Sequence, residues 1–385
     1  MKDGEICVRH FATRKPIRLK WENGIITHLE EIPEASQDSW IAPTLFDLQI
    51  NGYGGIDFQQ DNLTEVALLS AARQLLRDGC GKFLLTLITD DWEKLMARLR
   101  HVKALREKSF ELKSAIVGWH IEGPFLSEQP GFHGAHNPEW MRNPTPENIR
   151  ELRDLTENDP LLLTMAPERD GAIEAISLAA SLGIKISLGH TNASAEILQK
   201  AVQAGATAFT HLANGCPREL DRHDNILWRI FETAGLRVSL IPDRIHVSPA
   251  LFRLVHRVLR SENIYYTTDA MSAAGAPPGK YKLANLELAV GEDQIVRRPG
   301  QTNFAGSALK PIQGIFRAAQ MLHCSWQEIW PRFSEHPAKL MGLSNALEIG
   351  QPANFCLLKF AGENQLAEWQ SWRNGARCQA LPETE

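Results

Sequence analysis

Eight short apolar runs, separated by stretches of helical periodicity, constrain this chain more than anything else in it. They are Phe46–Ile50, Lys82–Ile88, Ala115–Glu122, Leu161–Ala166, Lys185–Gly189, Ala206–Leu212, Arg237–Ile241 and Ile264–Thr268. Each has the length of a buried strand. Between them, Thr64–Arg77, Asp91–Glu107, Ala172–Leu182, Ala193–Ala204 and Ser248–Leu259 repeat apolar residues at helical spacing. Strands covered on both faces read as continuous apolar runs, and their alternation with helices makes a parallel sheet. Eight such units predict an α/β fold, a closed (β/α)8 barrel of the TIM type.

The ends of the chain read differently. Glu5–Phe11, Ile17–Trp21 and Gly24–Glu31 are short strands, with Glu22-Asn23-Gly24 as a hairpin turn, and Leu347–Lys359 reads as further strands. A small β-sandwich built from both termini is the simplest arrangement. The expected division is residues 1–43 and 345–385 for the sandwich and 44–344 for the barrel. Pro277-Pro278-Gly279 opens an inserted hairpin, about 276–302, and helical patterns return at Lys310–Leu322 and Ser325–Phe333. A length of 385 residues with 43% hydrophobic content can bury a core of this size. A net charge of -5, without a basic run, argues against nucleic acid, and no apolar run reaches membrane-spanning length. The six cysteines are scattered without a CxxC pair, the pattern of free thiols in a reducing compartment, so a cytoplasmic protein is expected.

Polar residues recur where the runs end. On the third run His120 and Glu122 share a face, because strand side chains alternate with period two. His190, His211 and Asp269 close the fifth, sixth and eighth runs, and His246 follows the seventh. Barrel enzymes place their sites at this end of the strands. Glu122, His190 and His211 form a Glu-His-His set that suits one catalytic divalent ion, zinc or iron(II), with a coordination position left open. Asp269 is placed to take a proton from the water such an ion activates. A single histidine at a strand end is more often a structural hydrogen-bonding group. Agreement among four positions argues for a site.

The motifs extend further: Asp47-Leu48-Gln49-Ile50-Asn51-Gly52, His120-Ile121-Glu122-Gly123-Pro124-Phe125, Gly134-Ala135-His136-Asn137-Pro138, Gly189-His190-Thr191, Thr210-His211-Leu212-Ala213-Asn214-Gly215, Ile245-His246-Val247-Ser248-Pro249, Thr268-Asp269-Ala270 and Ala305-Gly306-Ser307. In these segments the chain resembles the N-acetylglucosamine-6-phosphate deacetylases of the amidohydrolase superfamily. The resemblance implies hydrolysis of the acetamide of a 2-acetamido sugar 6-phosphate by a set of residues with distinct roles: Glu122, His190 and His211 on the metal, Asp269 as base and then acid, and His136 near the acetyl carbonyl. It also implies that Asn214, Gly215, Arg222 and His246 hold the sugar phosphate, Arg222 from across a homodimer interface. Ala135, Phe304, Ala305 and Gly306 would line the sugar pocket.

Departures from the family pattern shape the expectations. Most amidohydrolases carry His-x-His after strand 1, where this chain has Gln49 and Asn51. Neutral amides are poor zinc ligands, so a single ion is expected and these two positions are vestigial; His120 is read as a supporting neighbour. Asp243-Arg244 replaces Asp-Gly, Gly215-Cys216 replaces Ala-Met, and Asn354 replaces an Asp. Two alternatives accompany the main expectation: deacetylation of N-acetylgalactosamine 6-phosphate, and a non-catalytic sugar-phosphate-binding barrel.

Overall fold

The computed structural model describes residues 3–35, 39–299, 304–362 and 364–378. The end of the expected insertion, 300–302, and the outermost residues of both sandwich segments lie outside them. Eight parallel strands form one sheet in consecutive order: Leu45–Ile50, Cys80–Ile88, Ile116–Glu122, Leu161–Met165, Lys185–Leu188, Ala206–Phe209, Arg237–Leu240 and Ile264–Tyr266. They are numbered barrel strands 1 to 8 below. The backbone joins the last to the first just beyond their ends, where Ile50 pairs with Ala270 and Asn51 N donates to Ala270 O at 2.7 Å. This is the (β/α)8 barrel.

Side-chain caps start its helices. Thr64, Asp91, Ser194 and Ser248 each accept a first-turn amide, at the N-termini of Glu65–Arg77, Trp92–Lys108, Ala195–Ala204 and Pro249–Val258. Such caps satisfy amides that the helix itself leaves unpaired.

Strand ends depart from the sequence reading. Ala115 finishes a short helix, Phe110–Ala115, instead of opening strand 3. Barrel strands 5, 6 and 8 stop before the polar residues that were expected to lie at their tips. His190, His211 and Asp269 have φ values of 52°, 31° and 52°, a left-handed backbone that cannot continue a ladder. The expected insertion is a three-stranded antiparallel sheet, not a hairpin. Its strands are Gly279–Leu283, Leu286–Val290 and Val296–Arg297, with a tight turn at Ala284.

Both ends of the chain build the second sheet. Its spatial order runs from Ala376–Arg377 through Gln365–Arg373, Phe355–Gly362, Trp40–Pro43, Gly4–His10 and Pro16–Glu22 to Ile25–Glu31. The sheet folds over on itself: Ile26 N donates to Gln351 O, beside the start of Phe355–Gly362. Val8, Leu19, Trp21, Ile26, Ile41 and Phe355 fill the space it encloses. Leu347–Asn354, expected as strand, is irregular apart from one bridge at Pro352, because Gly350 and Pro352 interrupt it.

Candidate active site

Strand 3 delivers Glu122 to the carboxyl-terminal mouth of the barrel, buried beneath three imidazoles. His211 Nε2 lies 2.9 Å from Glu122 Oε1, His190 Nε2 3.4 Å from the same oxygen, and His136 Nε2 3.7 Å from Oε2. Ligand atoms of Glu122, His136 and His190 all lie within 4.8 Å of one another. His136 therefore stands in the cluster itself. Two glycines let the loops close on the His190 ring. A Cβ on Gly134 (φ 60°) would fall 2.8 Å from His190 Cε1, and one on Gly215 (φ 63°) 2.9 Å from Nδ1.

Hydrogen bonds behind the rings fix which nitrogen faces the centre. His190 Nδ1 lies 2.8 Å from Phe132 O. A carbonyl only accepts, so Nδ1 carries the hydrogen, and in the neutral form of the ring Nε2 turns a lone pair toward Glu122. Thr89 donates its hydroxyl to Glu122 O at 3.2 Å and accepts from His136 Nδ1 at 2.9 Å, which leaves His136 Nε2 as a second inward lone pair. Lone pairs converging on a buried carboxylate repel one another unless a cation lies among them. The donor set therefore fits a divalent metal ion.

Electrostatics agree with this. Burial alone would raise the Glu122 carboxyl, but the imidazoles of His190 and His211 against its oxygens hold it well below the usual range. Burial, with His190 alongside, depresses His136 to about 3, so its ring is neutral. Across the centre, burial and the Glu122 charge push Asp269 up to about 7.

Two amides, Gln49 at the end of strand 1 and Asn51 just past it, bind the two carboxylates. Gln49 Nε2 donates to Glu122 Oε1 at 3.1 Å, and Asn51 Nδ2 to Asp269 Oδ1 at 2.7 Å. His120 lies one layer deeper, between Thr86 Oγ1 at 3.3 Å and Thr164 Oγ1 at 2.8 Å, out of reach of the cluster.

A cavity of about 700 Å³ opens above this centre. Glu122, His136, His190, His211, Asp269 and Asn51 line its floor, and Ala135, Asn214, Gly215, His246, Phe304, Ala305 and Gly306 its walls. His246 Nδ1 bonds Asp243 Oδ2 at 2.6 Å, and its ring packs on Phe304 at 5.0 Å. His246 Nε2 and Asn214 Nδ2 are buried without a protein partner. Arg222 is not brought in: it is exposed, and its Nε bonds the neighbouring His223 at 3.0 Å.

Sequence reasoning missed Thr89, Asp243 and Arg218. Thr89 and Asp243 lie just past barrel strands 2 and 7, so the strand-end rule applied there would have found them. Arg218 lines the cavity from the loop after strand 6, where no pattern marks it. His133 also lines the cavity, as do Leu283 from the inserted sheet and Cys216.

No protein-family profile matches the chain. Over 353 residues, spanning 86% of this chain and 84% of its relative, it is 32% identical to N-acetylglucosamine-6-phosphate deacetylase of Danio rerio. It is 27% identical over 333 residues, 86% of each chain, to N-acetylgalactosamine-6-phosphate deacetylase of Escherichia coli O157:H7. Among solved structures, a mutant N-acetyl-D-glucosamine-6-phosphate deacetylase from Mycobacterium smegmatis, in complex with N-acetyl-D-glucosamine-6-phosphate, superposes with a TM-score of 0.86 at 25% identity, covering 98% of this chain and 100% of the other. Fold and centre together are those of an amidohydrolase. Within that superfamily, the chain belongs to the N-acetylglucosamine-6-phosphate deacetylase family.

Proposed function

We propose that this enzyme hydrolyses the acetamide of N-acetylglucosamine 6-phosphate to glucosamine 6-phosphate and acetate. The observation that carries the reading is the buried Glu122 ringed by imidazole nitrogens, with Asp269 facing it across the floor of the cavity. In this reading Glu122, His190 and His211 hold one divalent ion, zinc rather than iron, with His136 beside them where the acetyl carbonyl would arrive. When bound, the ion acidifies water and polarises the carbonyl. Asp269 accepts the water's proton through the oxygen that Asn51 leaves free, then returns it to the departing amine. Its environment keeps its proton affinity near neutrality, which suits both transfers.

Asn214, Gly215 and His246 bind the sugar phosphate, Asp243 keeping the free nitrogen of His246 turned outward. Ala135 and Phe304-Ala305-Gly306 shape the sugar pocket. Arg222, which does not line its own cavity, joins only from a second copy in a homodimer. Residues 1–43 and 345–385 form a supporting unit beside a catalytic unit of 44–344. The six cysteines, none of them in a disulfide, fit a cytoplasmic location.

The galactosamine epimer is a second reading, favoured by the Escherichia coli relative. Acetate release from the 6-phosphates of both N-acetylhexosamines, with defined metals, tests the proposal. Turnover of the glucosamine compound at higher kcat/KM than its epimer supports it. The reverse order would favour the second reading, and no release from either would reject both.

A further inference from the structure

We infer that Glu168, which does not line the cavity, is the positioning residue that holds His190 at the metal site. The inference rests on the divalent ion proposed above, with His190 among its ligands. His190 turns left-handed at φ 52°, a conformation that a residue with a side chain keeps only where its surroundings enforce it. Its ring and its carbonyl are held from the loop after strand 3, the ring by Phe132 O and the carbonyl by Ser127 N, which donates to His190 O at 3.0 Å. The backbone leaving the turn is held from the loop after strand 4. There Glu168 accepts from Asn192 N at 2.8 Å on Oε1 and from the Thr191 hydroxyl on Oε2.

The chemistry of these partners makes the contact specific. Thr191 is 1% exposed, so water cannot replace Glu168 at its hydroxyl, and an unmade bond there would leave a buried donor unsatisfied. A carboxylate presents two accepting oxygens to donors on successive residues where an amide presents one, and its charge strengthens both bonds. The Thr191 oxygen in turn accepts from Ala193 N at 3.0 Å, which carries the restraint on to Ser194, the cap of helix Ala195–Ala204. Glu168 therefore acts through the backbone that follows residue 190 and not through the imidazole. Without it the turn is free to relax, the ring is no longer aimed at Glu122 in advance, and an arriving ion must first reorder its ligand.

The test is zinc affinity, read against a competing chromogenic chelator, together with the thermal midpoints of zinc-loaded and chelated protein. Glu168→Gln keeps one accepting oxygen and should weaken zinc binding about tenfold or more, the scale on which groups behind a metal's ligands act. Thr191→Val removes one of the two bonds with no change of charge and should weaken binding in the same direction. Thr191→Ser keeps the hydroxyl and should bind as the native protein does. The double variant Glu168→Gln/Thr191→Val should lose less than the two single losses combined, because both act through one contact. The gap between loaded and chelated midpoints should narrow in Glu168→Gln, since weaker binding stabilises the folded state less. Native affinity with an unchanged gap marks a merely structural contact and overturns the inference, leaving the metal site standing. A loss confined to Glu168→Gln also overturns it, by assigning the effect to charge. If Glu168→Gln does not fold, the two Thr191 variants decide. A native protein that takes up no divalent ion overturns the proposed site and the inference together.

Discussion

Asp269 is held by several constraints at once. Its backbone is left-handed, its carboxyl is buried, and the Asn51 amide occupies one of its oxygens. Replacing it with Asn keeps the shape and removes the proton carrier. Asp269→Asn should therefore retain metal and substrate while activity falls roughly 10²–10⁴-fold, read as acetate release alongside metal analysis. The sign of the pH dependence follows from the same carboxyl. It must be charged to accept a proton, so kcat/KM falls as pH drops through its pKa. That value is about 7 without a bound cation, and the ion's charge draws it lower. An acid limb centred well above 7 would assign the proton to another group. The residue types at these positions were legible from sequence, but their backbone was not. Nothing in Gly189-His190 or Thr268-Asp269 announces a positive φ at a non-glycine, a strain that recurs at functional sites.

At the scale of elements, one side chain reinforces the backbone seam between barrel strands 1 and 8. Asp47 accepts from Gln49 N at 3.0 Å and Thr267 Oγ1 at 2.5 Å on one oxygen, and from Thr268 N at 2.9 Å and Thr268 Oγ1 at 2.6 Å on the other. Asn offers one accepting oxygen and turns its NH2 toward a donor. Asp47→Asn should thus lower stability by about 3 kcal/mol at neutral pH, measured by urea unfolding. Burial, against those four bonds, raises Asp47 from 3.8 to about 6 in the folded chain. The folded state then binds this proton more tightly than the unfolded state, so the group's contribution favours folding at low pH and is lost as pH rises between about 4 and 6. The Asn variant should lack that slope.

Strand existence was readable because each strand is an apolar run. Strand ends were not, because nothing in the residue types of Gly189-His190 or Thr210-His211 marks where the ladder stops. The inserted sheet was read as a hairpin because its third strand, Val296–Arg297, is only two residues long and gives no strand pattern of its own.

For the whole molecule, an ion held at the proposed site would be both catalyst and brace. Three charged or imidazole ligands suffice for one catalytic ion, and Gln49 and Asn51 are already bonded to the site's carboxylates. Purified protein should carry about one divalent ion per chain, and chelation should lower its thermal midpoint, since the ion binds only the folded state. Two tightly held ions, with Gln49 as a ligand, would reject this. The second sheet has a different consequence, in time and not in energy. Trp40–Pro43 is flanked on one side by Gly4–His10, made before it, and on the other by Phe355–Gly362, made near the end of the chain. During synthesis the barrel can assemble while that early strand still presents an open edge. Only when the ribosome has delivered the last strands is the edge covered, so a nascent chain stalled late in translation would expose an adhesive border that the finished protein conceals.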